Sequence, residues 1–241
     1  MTDPEQEPFF HDVAPALRRQ SELIDVFTSG TASGPRPAVL FVHGGPLPAE
    51  RQPRPRQTPI FIGYASMAAA AGLVGVTFDH RLYTDQHYAE AADDVREAVE
   101  QVRALDEVDP DRVGMWFFSG GGPLGADWLR SAPAWLRAIA WSYPLLAPLP
   151  GWPGDVARFD AVAPLAEVPN LPKLLIRVGN EHPALAPVQD AFVATARDQD
   201  AALEVIEIAD ADHGFEAGTY SEHAGAAVRK AMGWMASAIS G

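Results

Sequence analysis

Two short runs of this chain, 37–42 and 113–118, are apolar from end to end, and a third, 73–78, is broken only by Thr77. A strand with one wet face alternates apolar and polar residues. A strand with no alternation has to be covered on both faces, which is the condition of a parallel sheet held between helices. Further strand-like stretches fall at 23–28, 137–142, 173–178 and 203–208. Helix-like stretches separate them. Ile60–Ala71 is closed by Gly72, and 85–105 carries Tyr88, Ala92, Val95, Val99 and Val102 on one face. Three more helices are expected from the glycines after Ser119 to about Leu129, over Pro187–Arg197 and over Tyr220–Ile239. Strand and helix alternate strictly, which predicts an α/β fold: a three-layer α/β/α sandwich around a mostly parallel, twisted sheet with right-handed crossovers. A length of 241 residues with 47% hydrophobic side chains suits one core, so residues 1–241 read as one domain. Prolines crowd 46–59, which reads as a long loop, and 143–171, an irregular excursion too short for a separate cap domain.

The 18 basic residues face 32 acidic ones, a formal charge of -14 that repels nucleic-acid backbones and anionic lipid surfaces. Neither is expected as a partner. Without cysteine there is no disulfide, no thiol nucleophile and no Cys-bearing zinc site, so covalent chemistry falls to oxygen or nitrogen. No H-E-x-x-H or close histidine pair at helical spacing occurs, and the glycines at 120–122 match neither a P-loop nor G-x-G-x-x-G. Neither a metal nor a cofactor is therefore expected. The acidic N-terminus lacks the basic start and apolar centre of an export signal, which predicts a soluble, cytoplasmic protein.

The chain changes character at Ser119, where a bulky apolar strand meets Gly120-Gly121-Gly122. A strand that turns sharply into a helix pushes the corner side chain out of the sheet edge and aims free N–H groups beside it. That geometry suits a nucleophilic hydroxyl. The bulk of Phe117 leaves a plain helix-entry turn open, with Ser119 as N-cap, because residues two before and two after such a corner should be small. Two more candidates follow at strand ends, Glu181 in Gly179-Asn-Glu and His213 in Asp212-His-Gly-Phe. In open α/β sheets the site lies outside the carboxyl ends of the strands. Asp210 and Asp212 compete with Glu181 for the acid role.

These motifs, in the order serine, acid, histidine, resemble the α/β-hydrolase superfamily. Ser119 corresponds to its nucleophile elbow, and His43-Gly44-Gly45-Pro46 is similar to its oxyanion loop. Asp79-His80-Arg81 resembles a structural turn common there. Asp212-His213-Gly214-Phe215 resembles the histidine motif of dienelactone-hydrolase-like and prolyl-oligopeptidase-like members. The resemblance implies a serine hydrolase cleaving a small-molecule carboxylic ester, with Ser119 as nucleophile, His213 as base and Glu181 as orienting acid. It also implies an oxyanion hole from the N–H groups of Gly44, Gly45 and Gly120. A peptidase is disfavoured, since there is no room for the propeller domain of prolyl oligopeptidases. The alternative is a hydrolase fold with altered chemistry, a lyase or a binding protein, signalled by Phe117. Arg51, Arg54 and Arg56 follow the proposed oxyanion turn and could bind an anionic substrate, or simply pair with surface acids such as Glu50.

Overall fold

The computed structural model describes residue 13 and residues 16–30, 34–218 and 221–241. The N-terminal segment read for export signals and Tyr220, the expected start of the last helix, lie outside the described residues. Eight strands form one sheet: β1 (Leu17–Gln20), β2 (Ile24–Thr28), β3 (Arg36–Val42), β4 (Val74–Phe78), β5 (Val108–Phe118), β6 (Leu136–Ser142), β7 (Lys173–Asn180) and β8 (Leu203–Asp212). Their order is β1-β2-β4-β3-β5-β6-β7-β8. The two N-terminal strands join antiparallel, β1 to β2 and β2 to β4, and all later pairings are parallel. The short edge strand β1, made of Leu17, Arg18, Arg19 and Gln20, has no strand pattern in the sequence. It is held by its ladder to β2 and by the Arg18–Asp25 ion pair at 2.6 Å.

Five helices cover the sheet: α1 (Pro59–Ala70), α2 (Tyr88–Arg103), α3 (Ala126–Ser131), α4 (Ala186–Asp198) and α5 (Glu222–Ser240). The buried side chains fall into two clusters. One is filled from α2, α3 and α4, with Val95, Leu129 and Phe192, and the other from α1 and α5, with Tyr64 and Met235. Successive residues of β5 divide between them, Met115 and Phe117 facing the first cluster, Trp116 and Phe118 the second. This is why its second half, Val113–Phe118, carries no polar position. Ser221 caps α5 by accepting from the Ala224 N–H at 3.0 Å.

Two expectations are corrected. The glycines after Ser119 do not open an α-helix: Ser119–Gly125 is a 3-10 segment, and α3 begins only at Ala126. Three glycines and Pro123 have neither the helix propensity nor the backbone donors to sustain α-helical bonding there. The helix expected from residue 85 begins at Tyr88, after a turn in which Thr84 and His87 hydrogen bond at 2.8 Å. Within 143–171 one 3-10 turn, Ala163–Glu167, is formed. Its far end is tied down by Lys173, a buried amine that donates to the carbonyls of Val168 (2.6 Å) and Leu171 (2.7 Å). Burial lowers the Lys173 pKa to about 8. Among the described residues no helix is long and apolar enough to cross a membrane.

Candidate active site

Ser119 closes β5 with φ of +48°, a left-handed conformation that costs a non-glycine residue about 1–3 kcal/mol and persists only where the surroundings enforce it. Here they do. A Cβ on Gly120 would overlap the Gly45 carbonyl oxygen, and one on Gly121 would overlap the His43 carbonyl oxygen, so the corner packs directly on the turn after β3. Phe117 does not disturb this arrangement. It is fully buried, stacks on Trp141 at 6.1 Å and fits because a Cβ at Gly125 would already stand 3.3 Å from its ring. The bulk at one position is matched by the missing side chain eight residues later. Ser119 makes no N-cap bond, which removes the helix-entry role.

The carboxyl ends of β7 and β8 bring the other two candidates to the same edge. Ser119 Oγ lies 2.7 Å from His213 Nε2, and His213 Nδ1 lies 2.7 Å from Glu181 Oε1. Glu181 also accepts from the His182 N–H (2.7 Å) and from Gln189 Nε2 (2.9 Å). Burial by itself pushes the Glu181 carboxyl up, but the bonds from His213, Gln189 and the His182 N–H outweigh it and hold the group below its ordinary range. Glu181 is thus an anion facing His213. The competing acids face elsewhere: Asp212 accepts from Asn180, and Asp210 pairs with His223 on the surface.

Gly44 and Gly45 sit against the serine. The Cβ position of Gly44 is 3.0 Å from Ser119 Cβ and 3.6 Å from its Oγ. Beneath this turn, His43 and His80 stack at 3.6 Å. His80 Nε2 faces the His43 carbonyl oxygen (2.9 Å) while its Nδ1 accepts from the Leu82 N–H (3.3 Å). His43 Nε2 accepts from the His80 N–H (3.2 Å), leaving Nδ1 to donate to the Gly44 carbonyl (2.6 Å). Every ring nitrogen is engaged in the neutral form, and burial lowers both pKa values, that of His80 to about 4.

Two cavities flank Ser119. One, of about 300 Å³, is lined by Tyr88, Leu145, Leu149, Trp152 and Leu185. The other, of about 270 Å³, is lined by Phe61, Tyr143, His213 and Arg51. The three arginines separate. Arg56 is nearly buried and bonded to Asp79 through Nε (3.0 Å) and its backbone N–H (3.1 Å). Arg54 approaches the same carboxylate at 3.9 Å and lines a different cavity behind the turn, as Arg51 also does. Only Arg51 among them lines the cavity with His213. Asp79, 23 residues from Arg56, thus holds Arg56 and lies near Arg54, while Arg51 alone of the three borders the cavity with His213.

The family model named BD-FAE matches residues 24–127. The thermophilic carboxylesterase EstE1 from a metagenomic library superposes with a TM-score of 0.74 at 18% identity, over 95% of this chain and 91% of its own. The chain has the α/β-hydrolase fold. Two more proteins of this fold are similar. Esterase 2 of Thermogutta terrifontis, solved after phosphoramylation by tabun, gives a TM-score of 0.72 at 16% identity, over 94% of this chain and 96% of that one. A thermostable esterase from Pseudomonas putida ECU1011 gives 0.73 at 17%, over 95% and 85%. No curated protein matches in sequence. Within the fold, Gln189 is a site contact that the sequence reading missed. It is buried on α4, and its amide spans the Glu181 carboxylate and the Pro144 carbonyl (3.0 Å). Its position, eight residues after the acid and on the inward side of the next helix, is the signal that could have found it.

Proposed function

We propose that this protein is a serine carboxylesterase acting on small-molecule esters through an acyl-enzyme on Ser119. The observation that carries the reading is the continuous line from Ser119 Oγ through His213 to Glu181, with both links at 2.7 Å and the serine at positive φ. His213 Nε2 takes the Ser119 proton as Oγ attacks the ester carbonyl, and Glu181 keeps the Nδ1 proton facing itself and balances the imidazolium. N–H groups of Gly120 and of the Gly44–Gly45 turn receive the oxyanion. Collapse breaks the ester C–O bond, and His213 returns its proton to the departing alcohol. A water, deprotonated by His213, then attacks the acyl carbon; the bond to Ser119 Oγ breaks, His213 returns the proton to Oγ, and the acid leaves.

The leaving oxygen must meet His213, so we assign the alcohol to the cavity shared by His213 and Arg51, and the acyl group to the apolar cavity beside Trp152 and Leu145. The motif at His213 supports a relation to dienelactone-hydrolase-like members, and we read the protein as cytoplasmic. A fluorophosphonate should label the protein stoichiometrically and Ser119→Ala not at all. Ser119→Ala should also lower p-nitrophenyl ester turnover by roughly 10⁴-fold, since the oxyanion donors then act alone. Failure of the native protein to label would overturn the esterase reading in favour of altered chemistry.

A further inference from the structure

A second carboxylate, that of Glu216, lies within electrostatic reach of His213. Glu216 follows it by three residues, in the short turn Phe215–Ala217, and is 1% exposed. Its partners are hydroxyls: Tyr64 on α1 donates to Oε1 at 2.5 Å, and Tyr143 at the end of β6 donates to Oε2 at 2.7 Å. Both tyrosines are buried. Burying a carboxyl against two hydroxyls costs free energy that an apolar filler would not, so packing alone does not call for it.

The cluster reaches the site through Tyr143. Its ring meets His213 edge-on at 4.8 Å and also lines the cavity with Ser119. Tyr143 has φ of +38°, a second strained residue at this edge, and two positions on the Leu145 N–H donates to the Ser119 carbonyl at 3.0 Å. The titratable groups facing Glu216 are Tyr64 from α1, Tyr143 from the end of β6 and His213 from the turn after β8; beyond the tyrosines lie Ser142, which bonds Tyr64, and Glu181. Burial raises the Glu216 carboxyl, and the bonds from the two hydroxyls together with the attraction of His213 offset part of that rise in favour of the ionised form.

We propose that Glu216 is a positioning residue for His213: through Tyr143 it fixes the imidazole against Ser119, and its negative charge favours the imidazolium formed when His213 takes the serine proton. Glu216 itself neither gains nor loses a proton in the cycle. The role rests on the reading of His213 as the base, but it can be measured without turnover. The His213 ring Cε1–H signal, assigned by its loss in His213→Asn, is titrated by NMR in the native protein, Glu216→Gln and Tyr64→Phe. Removing the charge in Glu216→Gln should move the His213 midpoint down by roughly one pH unit. Tyr64→Phe, which takes one donor from the carboxylate, should move it the same way by less. With p-nitrophenyl acetate, Glu216→Gln should lower kcat roughly three- to tenfold, the Brønsted response of a weaker base, with KM within about twofold. A carboxyl that merely holds the turn would lower the Tm without shifting the midpoint, and that result in folded Glu216→Gln overturns the proposal. Should Glu216→Gln fail to fold, an unshifted midpoint in Tyr64→Phe overturns it. Absence of ester hydrolysis by the native protein would overturn the esterase reading instead, leaving the titration to decide the role of Glu216.

Discussion

The stacked pair His43 and His80 makes acid the weak point of the turn after β3. Both rings are neutral and buried, and protonating either one removes an acceptor and places a charge 3.6 Å from its neighbour. In the unfolded chain each titrates near 6.5. The folded pKa is depressed, so the unfolded state binds more protons: stability is complete above about pH 6.5 and is lost as pH falls toward the folded value of about 4 for His80. Between pH 8 and 5 the loss from His80 is about 2 kcal/mol, and His43, also lowered by burial, acts in the same direction. The His80 share alone is a sizeable part of the 5–15 kcal/mol typical of a domain. Glu216, raised by burial, shifts stability with the opposite sign, and Glu181, held low, loses its contribution only at more acid pH. Both are common to a variant that changes His80 alone. Urea unfolding at pH 8 and 5 should therefore show His80→Gln losing about 2 kcal/mol less across the interval than the native protein, even if it starts less stable. An equal loss in both proteins would refute a neutral buried His80.

Three further outcomes are expected. Glu181→Gln should lower ester turnover roughly 10³- to 10⁴-fold, because the imidazolium loses its counter-charge, whereas Asp210→Asn and Asp212→Asn should change it less than about threefold. Phe117→Ala should cost about 3–5 kcal/mol through a cavity beside Trp141, a fall in Tm on the order of 10 °C by calorimetry, while the labelled fraction with fluorophosphonate stays complete at temperatures where the variant is folded. An ester carrying a carboxylate on its alcohol should show a lower KM than its neutral analogue, an advantage that Arg51→Gln and added salt both erase and Arg54→Gln leaves in place.

The order of strands and helices could be read directly because buried parallel strands announce themselves by unbroken apolar runs, as in Val39, Leu40 and Phe41. The strand ends then followed, and with them the shared edge for Ser119, Glu181 and His213. What depends on contacts between distant segments was illegible. Arg56 gives no local sign that Asp79 holds it, and nothing in Gln189 or Glu216 marks them as buried beside the histidine. Gly125 explains Phe117 only once the turn is seen folding back on β5. The strand Leu17–Gln20 was missed for the same reason, since its extended form comes from its neighbour and not from its own residues.

The two lysines have a practical consequence for attaching this protein to a surface. Lys173 is sealed within the fold with its amine bonded to two carbonyls. Lys230 projects from α5 with its side chain 63% exposed, paired at 3.0 Å with Glu204 near the amino end of β8. Of the lysine side chains, amine-coupling reagents therefore reach Lys230 alone, alongside the chain's α-amine, and Lys230 lies by the sheet edge opposite the one where Ser119 sits. Molecules immobilised through that lysine would share an orientation with the cavities facing solution, so coupling should retain ester turnover without a fusion tag or an engineered anchor.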